Sequence, residues 1–522
     1  MATSLVQVPE DIIFTILRFC FLPEYYALAM TCSVFNKLSQ RRAYWIDALQ
    51  GARSVAPIAC TSHQDLSALS YDQLRKIASH TMRLKHNWSL SNPCIDGPVK
   101  VVALDPPDLD VIMQVPGTEL YVLYSRFSGS VSAWDIGLGK RVSPEIYISR
   151  SLGDVSPGLD LPGKFSVALL TASSTEDNEI VIICLEYGLS RLEGRVKLSI
   201  TFRHVLHPDL FYWAAILSHE FVGSLRRRID PGGTTSRTHA LEIVAINLKT
   251  RRETVIVTDL PLRVRVLLDF FFIILYSTFA ASPSTDATML DGEVFLLMES
   301  TYASRVVRCP GGYLPYDDNP EVPAIQTLRI MDTASTREWP KSPGYEISYA
   351  YSEGTLSTDD RYDFPAVSVQ QITTTTALDS TPSFMPQDTD TGPMDEDEES
   401  SSILQIRFWG RPSRLQLDAG MQYLAAKRVV DIPGQLQDSP GDAQLMLLPH
   451  SGRQALLIVN SHGSINLVLV QGDCGPDEDP IKIIDVPSYI DLRDVFGLSL
   501  DDHRGTMTLI TMSGHLFAMP FA

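Results

Sequence analysis

The sequence predicts a multidomain α+β chain: a small three-helix unit and a helical linker, followed by a large all-β domain. Three observations carry that reading. Apolar residues recur at helical spacing as far as Trp88 and change, from Val99 onward, to short β-type runs separated by turn residues. A strand, a glycine turn and a second strand recur down the later part. The length, 522 residues, also exceeds what one ordinary core accommodates. The expected boundaries are 5–48 for the helical unit, 49–94 for the linker and 95–522 for the β domain.

The first helix is marked by Pro9, which fits a first turn because its missing N–H is not needed there. Glu10 and Asp11 suit the positive end of the helix dipole. Ile12, Ile13, Ile16 and Leu17 then fall on one side. Pro23 and Glu24 open a second helix carrying Tyr25, Leu28 and Cys32. Ser33 is the expected cap of a third, with Val34, Phe35 and Leu38, and Tyr44, Trp45 and Ile46 close the unit. About 40 residues is below the size that usually folds alone, so the apolar surface must dock on something, either the rest of its own chain or a second protein. Further on, Ser70 and Gln73 form a capping-box pattern ahead of Leu74, Ile77, Thr81 and Leu84, a helix expected to bridge the unit to the β domain.

The stretch from Val8 to Trp45 resembles an F-box. Pro9, Glu10, Ile12, Ile16, Leu17, Pro23, Leu28, Cys32, Phe35, Leu38 and Trp45 match that family's pattern in order and spacing. Val8 stands where Leu is usual, and Glu24-Tyr25 stands where an Asp is common. The resemblance covers under a tenth of the chain. It implies docking on the Skp-type adaptor of a cullin-RING ubiquitin ligase, which would supply the unit's missing core in trans. The residues it offers for adaptor binding are Val8, Pro9, Ile12, Ile16, Leu17, Leu28, Cys32, Phe35, Leu38 and Trp45, with Ile13 the candidate for an internal role.

In the β domain, strands are expected at Val99–Leu104, Asp110–Val115, Leu120–Tyr124, Val131–Ile136, Glu179–Tyr187, Ala240–Leu248, Glu253–Val257, Val294–Met298 and Ala455–Asn460. The hairpin repeat centres on Gly129, Gly463 and Gly514, with a partial copy at Gly292. This suggests propeller blades, about seven at roughly 40–60 residues each, and Trp134-Asp135 resembles a WD-repeat strand ending. A pair of β-sandwiches is the alternative; leucine-rich repeats lack their LxxLxL period here. First and last strands are expected in one blade or in neighbours, since closure protects both edges. A short helix is expected near Ala419–Lys427, a buried strand at Val266–Ala281, a disordered acidic insert at about 354–402, and a basic loop at Ser224–His239.

Lys+Arg of 43 against Asp+Glu of 62 gives a net charge of −19, which argues against nucleic acid and anionic membranes as partners. Seven scattered cysteines without a CxxC pair suit reduced thiols in the cytoplasm or nucleus. The start has no basic segment ahead of its apolar residues, so no signal peptide is read there. His204 and His207 lack a third ligand nearby, so no metal and no cofactor is expected, and no nucleophile elbow or phosphate loop is present. Arg226, Arg227 and Arg228 are weak candidates for an acidic or phosphorylated partner, the substrate site being otherwise unassigned. The expected role is non-enzymatic: recruitment of a protein substrate to a ubiquitin ligase, the chain contributing proximity. The alternatives are an F-box scaffold without ligase function and a propeller enzyme with an incidental helical amino terminus.

Overall fold

A computed structural model describes residues 8–171, 178–188, 196–208, 210–228, 239–262, 284–290, 293–299, 303–317, 322–328, 337–340, 346–354, 366–374, 401–410, 425–436, 446–447, 453–461, 463–475 and 478–522. Five α-helices come first: α1 (Glu10–Leu17), α2 (Leu22–Thr31), α3 (Ser33–Ser39), α4 (Arg42–Arg53) and α5 (Tyr71–Ser89). Pro9 stands just ahead of the first turn of α1, at its N-cap position, and Pro23 lies in the first turn of α2 as expected. Cys32, not Ser33, occupies the cap of α3. Ser70 and Gln73 make the reciprocal capping box of α5.

The described strands form seven sheets of four or five strands. In chain order, the strands of sheet 1 lie within 109–147, of sheet 2 within 152–171 and 179–205, of sheet 3 within 210–228 and 239–262 with 325–328, of sheet 4 at 284–290, 293–299, 303–309 and 337–340, of sheet 5 at 346–354, 366–374, 401–410 and 425–433, of sheet 6 at 435–436, 446–447, 454–461, 464–471 and 481–484, and of sheet 7 within 495–520 with Lys100–Ala103. All pairs are antiparallel except Glu253–Leu262 with Ile325–Leu328. All nine strands expected from sequence are present. Gly129, Gly463 and Gly514 turn hairpins between second and third strands with φ of 68°, 79° and 76°, conformations that cost glycine little. Gly292 and Val266–Ala281 lie outside the described residues.

Each sheet packs on the next. Separate apolar cores lie between sheets 1 and 2, 2 and 3, 3 and 4, 5 and 6, 6 and 7, and 7 and 1. Sheets 4 and 5 touch through their first strands, as do 2 and 3, 3 and 4, 6 and 7, and 7 and 1. That cyclic order, with first strands toward the middle, is a β-propeller. The expected closure is present: Val101 pairs with Phe517 and Val102 with Leu516, so the strand before the first sheet is the outer strand of the last.

Three expectations are corrected. Ala366–Thr374, inside the expected acidic insert, is the second strand of sheet 5, with Val367 and Val369 fully buried, because its alternating valines fit a pleat covered on one face. Phe221–Arg228 is a strand, so the basic stretch does not begin as a loop at Ser224. Ala425–Pro433 is a strand that takes up the end of the helix expected near Ala419–Lys427.

Candidate partner-docking face

Helices α1 to α3 fold round a core of their own chain. Ile13, Leu17, Leu22, Tyr25, Phe35 and Leu38 pack with Tyr44 and Trp45, and α4 and α5 extend the core through Leu49, Leu74 and Ala78. Tyr25 and Tyr44 meet edge to face at 5.2 Å, as do Tyr44 and Trp45 at 5.3 Å. The Tyr44 hydroxyl donates to the Tyr25 carbonyl, and Trp45 Nε1 donates to the Ser39 carbonyl at 2.7 Å. Burial pushes the Tyr25 phenol up to about 12 and raises Tyr44 further. The missing core is therefore supplied in cis, by α4 and α5. The size argument holds, but what the unit docks on is the rest of its own chain and not a partner.

This divides the ten candidate residues. Leu17, Phe35, Leu38 and Trp45 are internal (Leu17 is 2% exposed), so they support a face without forming it. Ile13 is internal as expected. Pro9, Ile12 and Ile16 are exposed, and Val8, Leu28 and Cys32 are half-buried at the rim of the core. Ile12 and Ile16 are 46% and 44% exposed on α1, one residue round from the buried stripe of Ile13 and Leu17. Phe19 is 84% exposed and Met30 is 71%; Phe21 and Val34 are exposed too. None of these last four was singled out as a contact by sequence. The usable signal was the double stripe on α1, at i, i+1, i+4 and i+5, which is wider than one core contact needs. The Cys32 thiol is held below its ordinary value, chiefly by the Phe35 backbone N–H at the start of α3.

The face stands on a mount that packs into the propeller. α5 reaches from the helical core, through Leu74 and Ala78, into the core between sheets 6 and 7, through Leu84 and Trp88. Trp88 stacks on Phe521 at 4.9 Å. Buried Asn87 donates to the carbonyls of Phe521 at 2.7 Å and Cys94 at 2.6 Å. His503 Nδ1 donates to the carbonyls of Ile58 and Cys60 at 3.1 and 3.0 Å, and His80 Nε2 donates to the Arg504 carbonyl at 2.8 Å. A Cβ on Gly117 would lie 2.6 Å from the Cys60 backbone, so only glycine permits this approach. Gly117 and residues 501–505 sit in connections between first and second strands, so the helices cover that face of the propeller. In an antiparallel sheet the connections between second and third strands open on the opposite face.

The remaining candidates do not assemble a site. Arg226 donates to Glu242 at 2.8 Å and Glu253 at 3.1 Å in sheet 3, and is committed there. The side chains of Arg227 and Arg228 are outside the described residues. His204 lies 3.9 Å from Glu253. Among the described residues no group of three or more His, Cys, Asp or Glu could hold a metal ion, and no helix is long and apolar enough to cross a membrane.

No protein-family model matches the chain, and no curated protein matches it. Solved structures similar to it include the WD40 domain of SCAP from fission yeast, at 8% identity and a TM-score of 0.31, covering 83% of this chain and 96% of that one. The Nup133 β-propeller domain of Vanderwaltozyma polyspora matches at 10% identity and a TM-score of 0.34, covering 81% and 97%. A Synechocystis apocarotenoid oxygenase matches at 8% and 0.33, covering 69% and 68%. Similarity at this level carries no functional argument, and the propeller is read from the chain's own sheets.

Proposed function

We propose that this chain recruits protein substrates to a cullin-RING ubiquitin ligase, docking α1–α3 on a Skp-type adaptor and presenting substrate on a seven-bladed propeller, each sheet being one blade. The observation that carries the reading is the exposure of Ile12, Ile16 and Phe19 on a unit whose own core is already complete. Large apolar side chains outside a finished core favour a partner, and covering each is worth roughly 1–2 kcal/mol. The F-box resemblance names the partner. The fixed mount supports the role, because α5 holds the docking face and the propeller at constant separation, which suits a protein that acts by proximity. Free cysteines throughout fit work in the cytoplasm or nucleus.

The test is co-purification. Tagged full-length chain should bring down a Skp-type adaptor and a cullin, and should support ubiquitin transfer to a captured substrate. Adaptor without cullin would favour the scaffold reading; neither would end the F-box reading.

A further inference from the structure

Sheet 6 carries an unfinished edge. Its third strand, Ser464–Gln471, pairs along its whole length with Gln454–Ser461. On the other side it pairs with Ile481–Ile484 only over Leu467–Val470. The outer edge of Ser464–Asn466 has no strand beside it among the described residues. Past Ile484 the chain swings away and returns at Leu492–Asp494, close to the same strand, before starting sheet 7 at Val495. Between edge and returning chain lies a groove of about 450 Å³. It opens on the face turned away from the helices, beside the Gly463 hairpin.

We propose that this groove binds an extended segment of a protein partner, with an aliphatic side chain in the groove and a lysine or arginine next to it. Three features specify the occupant. Alternate residues of a strand direct their N–H and C=O groups to one side, so at least one of Ser464–Asn466 offers both outward, where an extended chain can pair. Aliphatic side chains of Ile465, Ile483, Val486 and Leu492 stand in a lining that is otherwise mostly polar. Asp485 and Asp491 also line it, against one cation, Arg493, and Asp494 follows, so the mouth is net acidic and complements a basic residue. The proposal is independent of what docks on α1–α3.

The test is fluorescence anisotropy on the full chain with a labelled peptide alternating valine and lysine. A second peptide has glutamate for lysine, and a third keeps the lysines but is N-methylated at alternate backbone positions. The lysine peptide should saturate with a Kd of about 10–100 µM, and N-methylation should weaken it at least about tenfold. Asp485→Lys should weaken the lysine peptide about fivefold and strengthen the glutamate one; Ile483→Ser should weaken both. Equal binding of the N-methylated and parent peptides would overturn the proposal, since it would mean charge attraction to a chain of −19 alone. So would the absence of saturable binding. The N-methyl comparison uses unaltered protein, so it stands even where a variant misfolds.

Discussion

Ile12→Glu with Ile16→Glu separates docking from folding. Both side chains are a little under half exposed, so a partner covering them gains roughly 1 kcal/mol from each. Glutamate removes that gain and places an unpaired carboxylate in the contact, costing a few kcal/mol more. Adaptor affinity should fall by at least about 3 kcal/mol, more than a hundredfold. Folding should hardly change: glutamate is at least as good a helix former as isoleucine, and its favourable place at 12, in the first turn of α1, offsets its unfavourable one at 16, in the last. A shift within about 0.5 kcal/mol is expected. Leu17→Ala with Phe35→Ala should do the opposite. Both side chains are internal, so each truncation costs the helical unit about 2–5 kcal/mol, and lost binding there would report unfolding. The assay is calorimetric titration with purified adaptor, alongside thermal melting followed by circular dichroism. Wild-type affinity in a folded Ile12→Glu, Ile16→Glu variant would refute the docking face.

Three further outcomes follow. Cys32 lies at the rim of that face with a lowered thiol, so adaptor should slow its alkylation while leaving exposed Cys94 unchanged, read by site-resolved mass spectrometry; equal rates at both sites with and without adaptor would place the contact elsewhere. Replacing residues 375–400 by a short Gly/Ser linker should leave the melting temperature nearly unchanged, whereas replacing 354–402 deletes a buried strand and should unfold sheet 5. Asp154 is half-buried, its Oδ2 accepting the Ala215 N–H at 2.6 Å, and desolvation raises its pKa to about 6. Its ionisation therefore penalises the folded state above the unfolded value of about 4, and the penalty is complete above pH 6. Asp154→Asn keeps an acceptor and should gain on wild type as pH rises from 4 to 7, by at most about 3 kcal/mol; a pH-independent difference in urea titrations would refute this.

The propeller was legible because its signals are local. Turn glycines and runs such as Leu120–Tyr124 state strand and hairpin directly, and protection of edges predicted the closure of first strand on last. The acidic insert was overextended because Ala366–Thr374 sits between polar, low-complexity flanks and its valines were averaged away with them. The docking face was legible only as a set. Helical periodicity places Ile12, Ile13, Ile16 and Leu17 on adjacent stripes but cannot say which stripe meets the chain's own core. That depends on α4 and α5, whose contacts are tertiary.

The pairing of the strand after α5 with the end of the chain also sets an order of events in biosynthesis. Asn87 and Phe521, which it joins, are 434 residues apart in sequence. At roughly 5–20 residues per second a ribosome needs on the order of 20–90 s to cover that distance. Until the end is made, Trp88 lacks Phe521 and Lys100–Ala103 lacks its strand partner, while α1–α4 already have most of theirs. On the proposed function, a nascent chain would engage its adaptor well before its propeller closes. A message truncated ahead of residue 515 would yield a polypeptide that keeps the proposed docking helices but has an open ring and an unguarded strand at its rim.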